Sequence, residues 1–260
     1  MSVSALIVTR SLKEVLPETV KGLKTYPFDK IIVVSKRSGI KPDWCDLLIL
    51  EKGKLGKARN VGVEVIDSMF VCMVDADIII PKGYIEALLE YFREHSVVAV
   101  GGRLKSLRKS FYSLVKEQLF RGYCKVHADL PCGGTIYRTN ILKKEGFNED
   151  LAGGEDHELH TRLKRKGYKI IYVNDLMCYH DFKGDVRKEI YACLRTGAEI
   201  KLTSALARTL ASPIRGLIYM LACRDNLYSL FVPLFYITQW IAHLIGSVFY
   251  SNTKLLSLKY

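Results

Sequence analysis

The sequence predicts an α/β fold: a mixed, mostly parallel sheet flanked by helices, followed by C-terminal hydrophobic helices. Two observations predict the sheet. Short β-branched runs such as KIIVVS and SMFVCMV alternate with stretches of helical spacing, the pattern of parallel strands joined by crossover helices. These runs are apolar at nearly every position, as expected of strands buried on both faces. A third observation predicts the tail: from Asn226 to Thr253 there is no Asp, Glu, Lys or Arg across 28 residues.

The first apolar run, Val3 to Val8, is followed by Arg10, Lys13 and Glu14. It is about half the length of a secretory h-region, so it reads as a buried strand. Leu12 to Lys24 has helical spacing. Lys30–Ser35 is a second strand, Asp46–Leu50 a short third, Lys57–Ile66 a helix and Ser68–Val74 a fourth strand. After Pro81 a helix is predicted over Tyr84–His95, then a strand, Val97–Val100, ended by Gly101-Gly102. A basic segment follows, then a turn at Cys132-Gly133-Gly134, a strand over Thr135–Arg138, a helix over Asp156–Lys166 and a strand over Lys169–Val173. Right-handed crossovers place the C-terminal strand ends on one edge, where open α/β sheets bind ligands.

Composition narrows the function classes. Apolar residues make up 49% of the 260 residues, enough to fill a core and to exclude a disordered chain. Seven cysteines, an odd number with no CxxC pair, exclude a disulfide scaffold and suit a reducing compartment. The net charge of +12 fits nucleic acid, an anionic membrane or phosphorylated small molecules. Residues 103–125 carry seven of the positive charges, interleaved with Phe111, Tyr112, Leu119, Phe120 and Tyr123. That segment is either a solvated helix face or an amphipathic basic stretch for membrane or phosphate; no nucleic-acid signature accompanies it. The charge-free tail, as one helix, would be about 42 Å long, more than the roughly 30 Å hydrocarbon core. Pro233, Gln239 and His243 interrupt it, and Ile214–Cys223 before it is too short to span alone. A membrane span or interfacial pair and a buried hairpin both stay open, and Arg215, Arg224, Lys254 and Lys259 give no orientation.

Three clusters carry chemistry. In VCMVDADIIIP a buried strand ends at Asp75-Ala76-Asp77. Alternate residues of an extended chain point the same way, so both carboxylates can face one site and share a hard cation such as Mg²⁺ or Mn²⁺. A surface turn with two solvated acids has the same sequence. In Gly153-Gly154-Glu155-Asp156-His157-Glu158 the two acids open a helix, either as a plain cap or with one carboxylate as a general base. A zinc-protease motif is rejected, because Thr161 stands where the second His must be. His180 follows an apolar strand and is a third candidate metal ligand or a structural histidine. Arg59, at a helix start, is placed either to approach a phosphate or to form a surface ion pair.

In that order, SALIVTR, KIIVVS, GKLGKARNVGVE, VDADIIIP, CGGTIYRTNILKKEGFNEDLAGGEDHELHTRLKRKGYKI and YHD, the chain resembles the inverting glycosyltransferases of family 2, which have the GT-A fold. The resemblance covers about residues 1–185, and the tail looks like that of membrane-associated members. It implies a catalytic domain at 1–185 and a helical, membrane-associating region at 186–260. It further implies that Asp75 lies near the donor ribose and metal, that Asp77 ligates Mn²⁺ or Mg²⁺, and that His180 meets the metal or diphosphate. Asp156 matches the catalytic base and Glu155 shapes the acceptor site. Thr9 falls where the nucleotide is held, and Gly133 and Gly134 form the small-residue turn where donor and acceptor approach. The implied partners are a nucleotide-sugar donor and a hydroxyl acceptor, lipid-linked or membrane-bound, at the cytoplasmic side of the cell membrane, with no nucleic acid. One departure stands out. The family's second strand ends in acids, whereas here Ser35-Lys36-Arg37-Ser38-Gly39 holds none, so the nucleotide base is not named. A nucleotidyltransferase of related fold and a non-catalytic membrane-associated binding protein are the other readings; the former wants a Gly-rich loop where Thr9-Arg10-Ser11-Leu12-Lys13 stands.

Overall fold

In this computed structural model the described residues are 1–151, 153–182, 186–197 and 200–249, with only the backbone of 188 and 195. The end of the charge-free run (250–253), Lys254 and Lys259 lie outside them. The chain divides into two compact units: residues 1–105 with 127–181, and residues 106–126 with 182–260.

The first unit is built on an eight-stranded sheet. Its strands are β1 (Val3–Thr9), β2 (Ile31–Ser35), β3 (Leu47–Leu50), β4 (Phe70–Asp75), β5 (Ile78–Ile79), β6 (Val97–Ser106), β7 (Thr135–Arg138) and β8 (Lys169–His180), in the order β3-β2-β1-β4-β7-β6-β8-β5. Strands β1 to β4 pair in parallel, whereas β7 is antiparallel to β4 and β6, and β5 to β8. The register brings Thr9 opposite Ser35 and Val8 opposite Asp75. The C-terminal ends of β1, β2 and β4 therefore share the expected edge.

The helices are α1 (Pro17–Leu23), α2 (Leu55–Glu64), α3 (Tyr84–Leu89), α4 (Phe111–His127), α5 (Thr139–Glu145), α6 (Glu155–Arg165), α7 (Val186–Gly197), α8 (Leu202–Ala222) and α9 (Val232–Phe249). Leu6, Val34, Val63, Met73, Tyr137 and Leu159 belong to one buried cluster that joins the sheet to α2 and α6.

Several boundaries differ from the sequence reading, each for a local reason. The helix expected from Leu12 begins only at Pro17, after a single turn at Leu12–Glu14, because the proline holds Leu16 extended and stands at the first helical turn. The strand expected to end at Gly101-Gly102 runs on to Ser106. A Cβ on Gly101 would strike Thr135 Oγ1 and one on Gly102 the carbonyl of Leu176, so these glycines admit close neighbours and end nothing. The last strand runs on to His180, carrying Asn174 and Asp175 within it.

In the second unit α4, α7, α8 and α9 pack together. Val115 and Leu119 of α4 meet Tyr219 of α8 and Val232 of α9. Lys116 pairs with Glu189 at 2.7 Å, and Gln239 donates to the same carboxylate at 2.8 Å. Arg121, buried, pairs with Asp225 at 2.9 Å. Two charges of the basic segment are thus spent on holding helices together, and the segment is not a wholly solvated face. The charge-free run starts with a turn at Leu227–Phe231 and becomes α9 at Val232, where Pro233 is tolerated in the first helical turn. Leu227–Phe249 is long and apolar enough to cross a membrane, and only 22% of its most apolar window is buried. Leu234, Ile241, Ile245, Val248 and Phe249 are exposed along it.

Candidate active site

The site begins at the end of β4. Asp75 leaves the sheet, the chain turns through Ala76 and Asp77, and β5 then pairs with the end of β8, Ile78 opposite His180. The Asp181 amide donates to the Asp77 carbonyl at 3.1 Å. This backbone clasp brings the His180 ring to the Asp77 carboxylate, Nε2 to Oδ1 3.4 Å.

Asp75 also reaches Arg59 of α2, at 3.7 Å. The second arm of the same guanidinium forms a buried ion pair with Glu155 at the start of α6. The guanidinium also lies over the Phe147 ring, 5.3 Å from its centroid. Arg59 is therefore neither at the surface nor open to a phosphate: a guanidinium this buried needs carboxylate partners, and it has two. Burial raises the Asp75 pKa, with Asp77 and Asp156 adding to the shift and Arg59 and His180 opposing it. Burial likewise raises that of Glu155, against the pull of Arg59. Glu155 Oε2 is buried without a hydrogen-bond partner. Asp156 follows in the first turn of α6, half-buried, its Oδ1 accepting the His157 amide at 2.8 Å.

The glycine turn sits against the same carboxylate. A Cβ on Gly133 would lie 2.5 Å from Asp75 Oδ2, so only glycine leaves room there. Gly134 takes φ +81°, which glycine adopts without strain, and its amide donates to the Met73 carbonyl at 2.8 Å. Thr9, at the end of β1, spends its hydroxyl on the Ser11 carbonyl at 2.9 Å. Ser35, where an acid was expected, is buried and donates to the Arg37 carbonyl at 2.7 Å, while Lys36 and Arg37 are exposed.

Among the described residues, no group of three or more His, Cys, Asp or Glu side chains is arranged to hold a metal ion. Of the three expected ligands, Asp77 and His180 are together, and Asp75 lies within their electrostatic reach while pairing with Arg59. A carboxylate oxygen and an imidazole nitrogen side by side are donors that suit Mn²⁺.

Sequence reasoning missed Asp129 and Tyr137. Asp129 is buried, its carboxylate shared by His157 (2.6 Å) and His160 (2.5 Å), and His160 continues to the Tyr137 hydroxyl at 2.8 Å. The spacing of His157 and His160, three apart on one helix face, was the available signal.

Comparison with solved structures gives the fold. A mannosyltransferase from Pyrobaculum calidifontis, solved with GDP-Man and Mn²⁺, superposes with a TM-score of 0.61 at 16% identity, over 95% of this chain and 86% of that one. S. aureus TarS 1–349, solved with UDP-GlcNAc, superposes with a TM-score of 0.57 at 22% identity, over 94% and 80%. The fold is that of the GT-A glycosyltransferases. The profile of the glycosyltransferase-like family 2 matches residues 2–197, and the chain belongs to that family. A pre-mycofactocin glycosyltransferase of Mycobacterium tuberculosis is 27% identical over an alignment of 160 positions that covers 55% of this chain. The alignment spans about a third, 34%, of that relative's length.

Proposed function

We propose that the protein is an inverting glycosyltransferase that moves a sugar from a nucleotide-sugar donor to a hydroxyl acceptor in one displacement. The observation that carries this reading is Arg59, which touches Asp75 and Glu155 together. It draws the Asp75-Ala76-Asp77 turn and the Glu155-Asp156 helix start together at the ligand-binding edge. Family membership and the neighbours solved with GDP-Man and UDP-GlcNAc support the donor class.

Asp156 takes the proton from the acceptor hydroxyl as its oxygen attacks the anomeric carbon. The bond from that carbon to the diphosphate oxygen breaks on the opposite face, and the nucleoside diphosphate leaves. Glu155, held by Arg59, keeps its neighbour aimed at the acceptor. Asp77 and His180 would hold Mn²⁺ or Mg²⁺, with Asp75 beside them at the donor ribose. Held there, that ion would supply Lewis-acid stabilisation of the leaving diphosphate. Thr9, at the end of β1, and the Gly133-Gly134 turn border the donor. The acceptor is lipid-linked or membrane-bound, and the exposed apolar side of α9 keeps the enzyme at the cytoplasmic face of the membrane.

Calorimetry with a panel of nucleotide sugars, with and without Mn²⁺, tests the donor site. One donor should bind in the presence of metal and lose that binding in Asp77→Ala. Asp156→Asn should keep donor affinity while turnover drops about 10²-fold or more. Full turnover in Asp156→Asn would remove the base assignment. Release of pyrophosphate in place of a nucleoside diphosphate would make the protein a nucleotidyltransferase.

A further inference from the structure

We propose that Asp129 is a positioning residue for the Asp156 carboxylate, acting by gripping helix α6 through His157 and His160. The inference rests on the reading of Asp156 as the base. Asp129 Oδ2 lies 2.6 Å from His157 Nδ1 and its Oδ1 2.5 Å from His160 Nδ1, and the Leu130 amide adds a bond to Oδ1 at 2.9 Å. The two imidazoles stand three residues apart on α6, on the same face. One carboxylate therefore spans the first turn of the helix that opens with Glu155-Asp156.

The grip is anchored in the sheet. His160 Nε2 lies 2.8 Å from the Tyr137 hydroxyl, and the two rings stack with centroids 5.8 Å apart. Tyr137 pairs with Val71 of β4, the strand that ends at Asp75. A fixed line thus runs from the donor strand through Tyr137, His160 and Asp129 to His157. At its end the His157 amide donates to Asp156 Oδ1 at 2.8 Å. Holding His157 sets the direction in which Asp156 presents its other oxygen. The approach to Asp129 is strained: Ala128 has φ 45°, the one non-glycine residue with positive φ among those described. A backbone held there by its surroundings is what delivers the carboxylate between the two rings.

The test compares wild type, Asp129→Asn, His157→Ala, Asp156→Asn and the Asp129→Asn/Asp156→Asn pair by kcat, KM, donor affinity and ¹⁵N imidazole spectra. A misaimed base lowers kcat and leaves the donor site alone. Asp129→Asn should lower kcat about tenfold or more, hold donor affinity within about twofold, and shift the ring signals of His157 and His160. Because Asp129 acts through Asp156, the pair should be no slower than Asp156→Asn alone. His157 is half exposed, so His157→Ala folds even if Asp129→Asn does not, and it should lose kcat several-fold at constant donor affinity. Wild-type kcat in both Asp129→Asn and His157→Ala, additive losses in the pair, or donor affinity lost along with kcat would each overturn the proposal. Full turnover in Asp156→Asn would instead overturn the base assignment, and this inference with it.

Discussion

Arg59 shows what one residue contributes to this site. Its guanidinium is 6% exposed and the Glu155 side chain 3%, so neither charge has water to turn to if the other is removed. Arg59→Met should cost about 3–5 kcal/mol, the usual penalty for stranding one partner of a buried pair. Pairing it with Glu155→Gln should recover part of that loss, and urea unfolding of the two variants measures the difference. No recovery in the double variant would mean that the Phe147 contact, and not the charge, matters. The carboxylates themselves were legible in the sequence, because an apolar strand ending in acids exposes them at the ligand edge whatever surrounds it. Arg59's partners were not: a helix-start arginine reads the same with a phosphate, a surface acid or two buried carboxylates. Asp129 was illegible for a related reason, since its role depends on two rings nearly thirty residues away.

At the scale of elements, apolar runs located the strands, and glycines misled about where they stop. Gly101 and Gly102 looked like a terminator, yet both lie inside β6. Their reason is the side chain and carbonyl that a Cβ would meet on neighbouring strands, which no local pattern records. The second unit uses glycine in the same way. A Cβ on Gly246 of α9 would strike the Leu194 carbonyl of α7, and one on Gly197 would strike the His243 carbonyl of α9. The two helices cross backbone to backbone at these points. Gly246→Val should push them apart at a cost of about 1–3 kcal/mol, read as a lower Tm of the full chain. An unchanged Tm would mean that this crossing bears no weight. Gly246 sits in a stretch whose sequence announced only its lack of charge, and Gly197 closes the charged helix α7.

For the whole molecule, the proposed membrane association would draw on the exposed apolar residues of α9 and on the net charge of +12. Interfacial binding combines apolar insertion with attraction to anionic headgroups. The full chain should sediment with vesicles containing anionic lipid, and salt should loosen the electrostatic part. Ile241→Asp with Ile245→Asp, both on the exposed side of α9, should leave the protein in the supernatant. Co-sedimentation equal to wild type would rule α9 out as the anchor. The clasp between β5 and β8 has a consequence in time. Ile78 waits for His180, a partner made about a hundred residues later, and closing so long a stretch of chain is slow and entropically costly. On the ribosome the early strands emerge and pair long before the Asp77 carboxylate meets its imidazole. Strands β1 to β4 can therefore pair while Asp77 still lacks its imidazole, and the clasp closes only with the last strand.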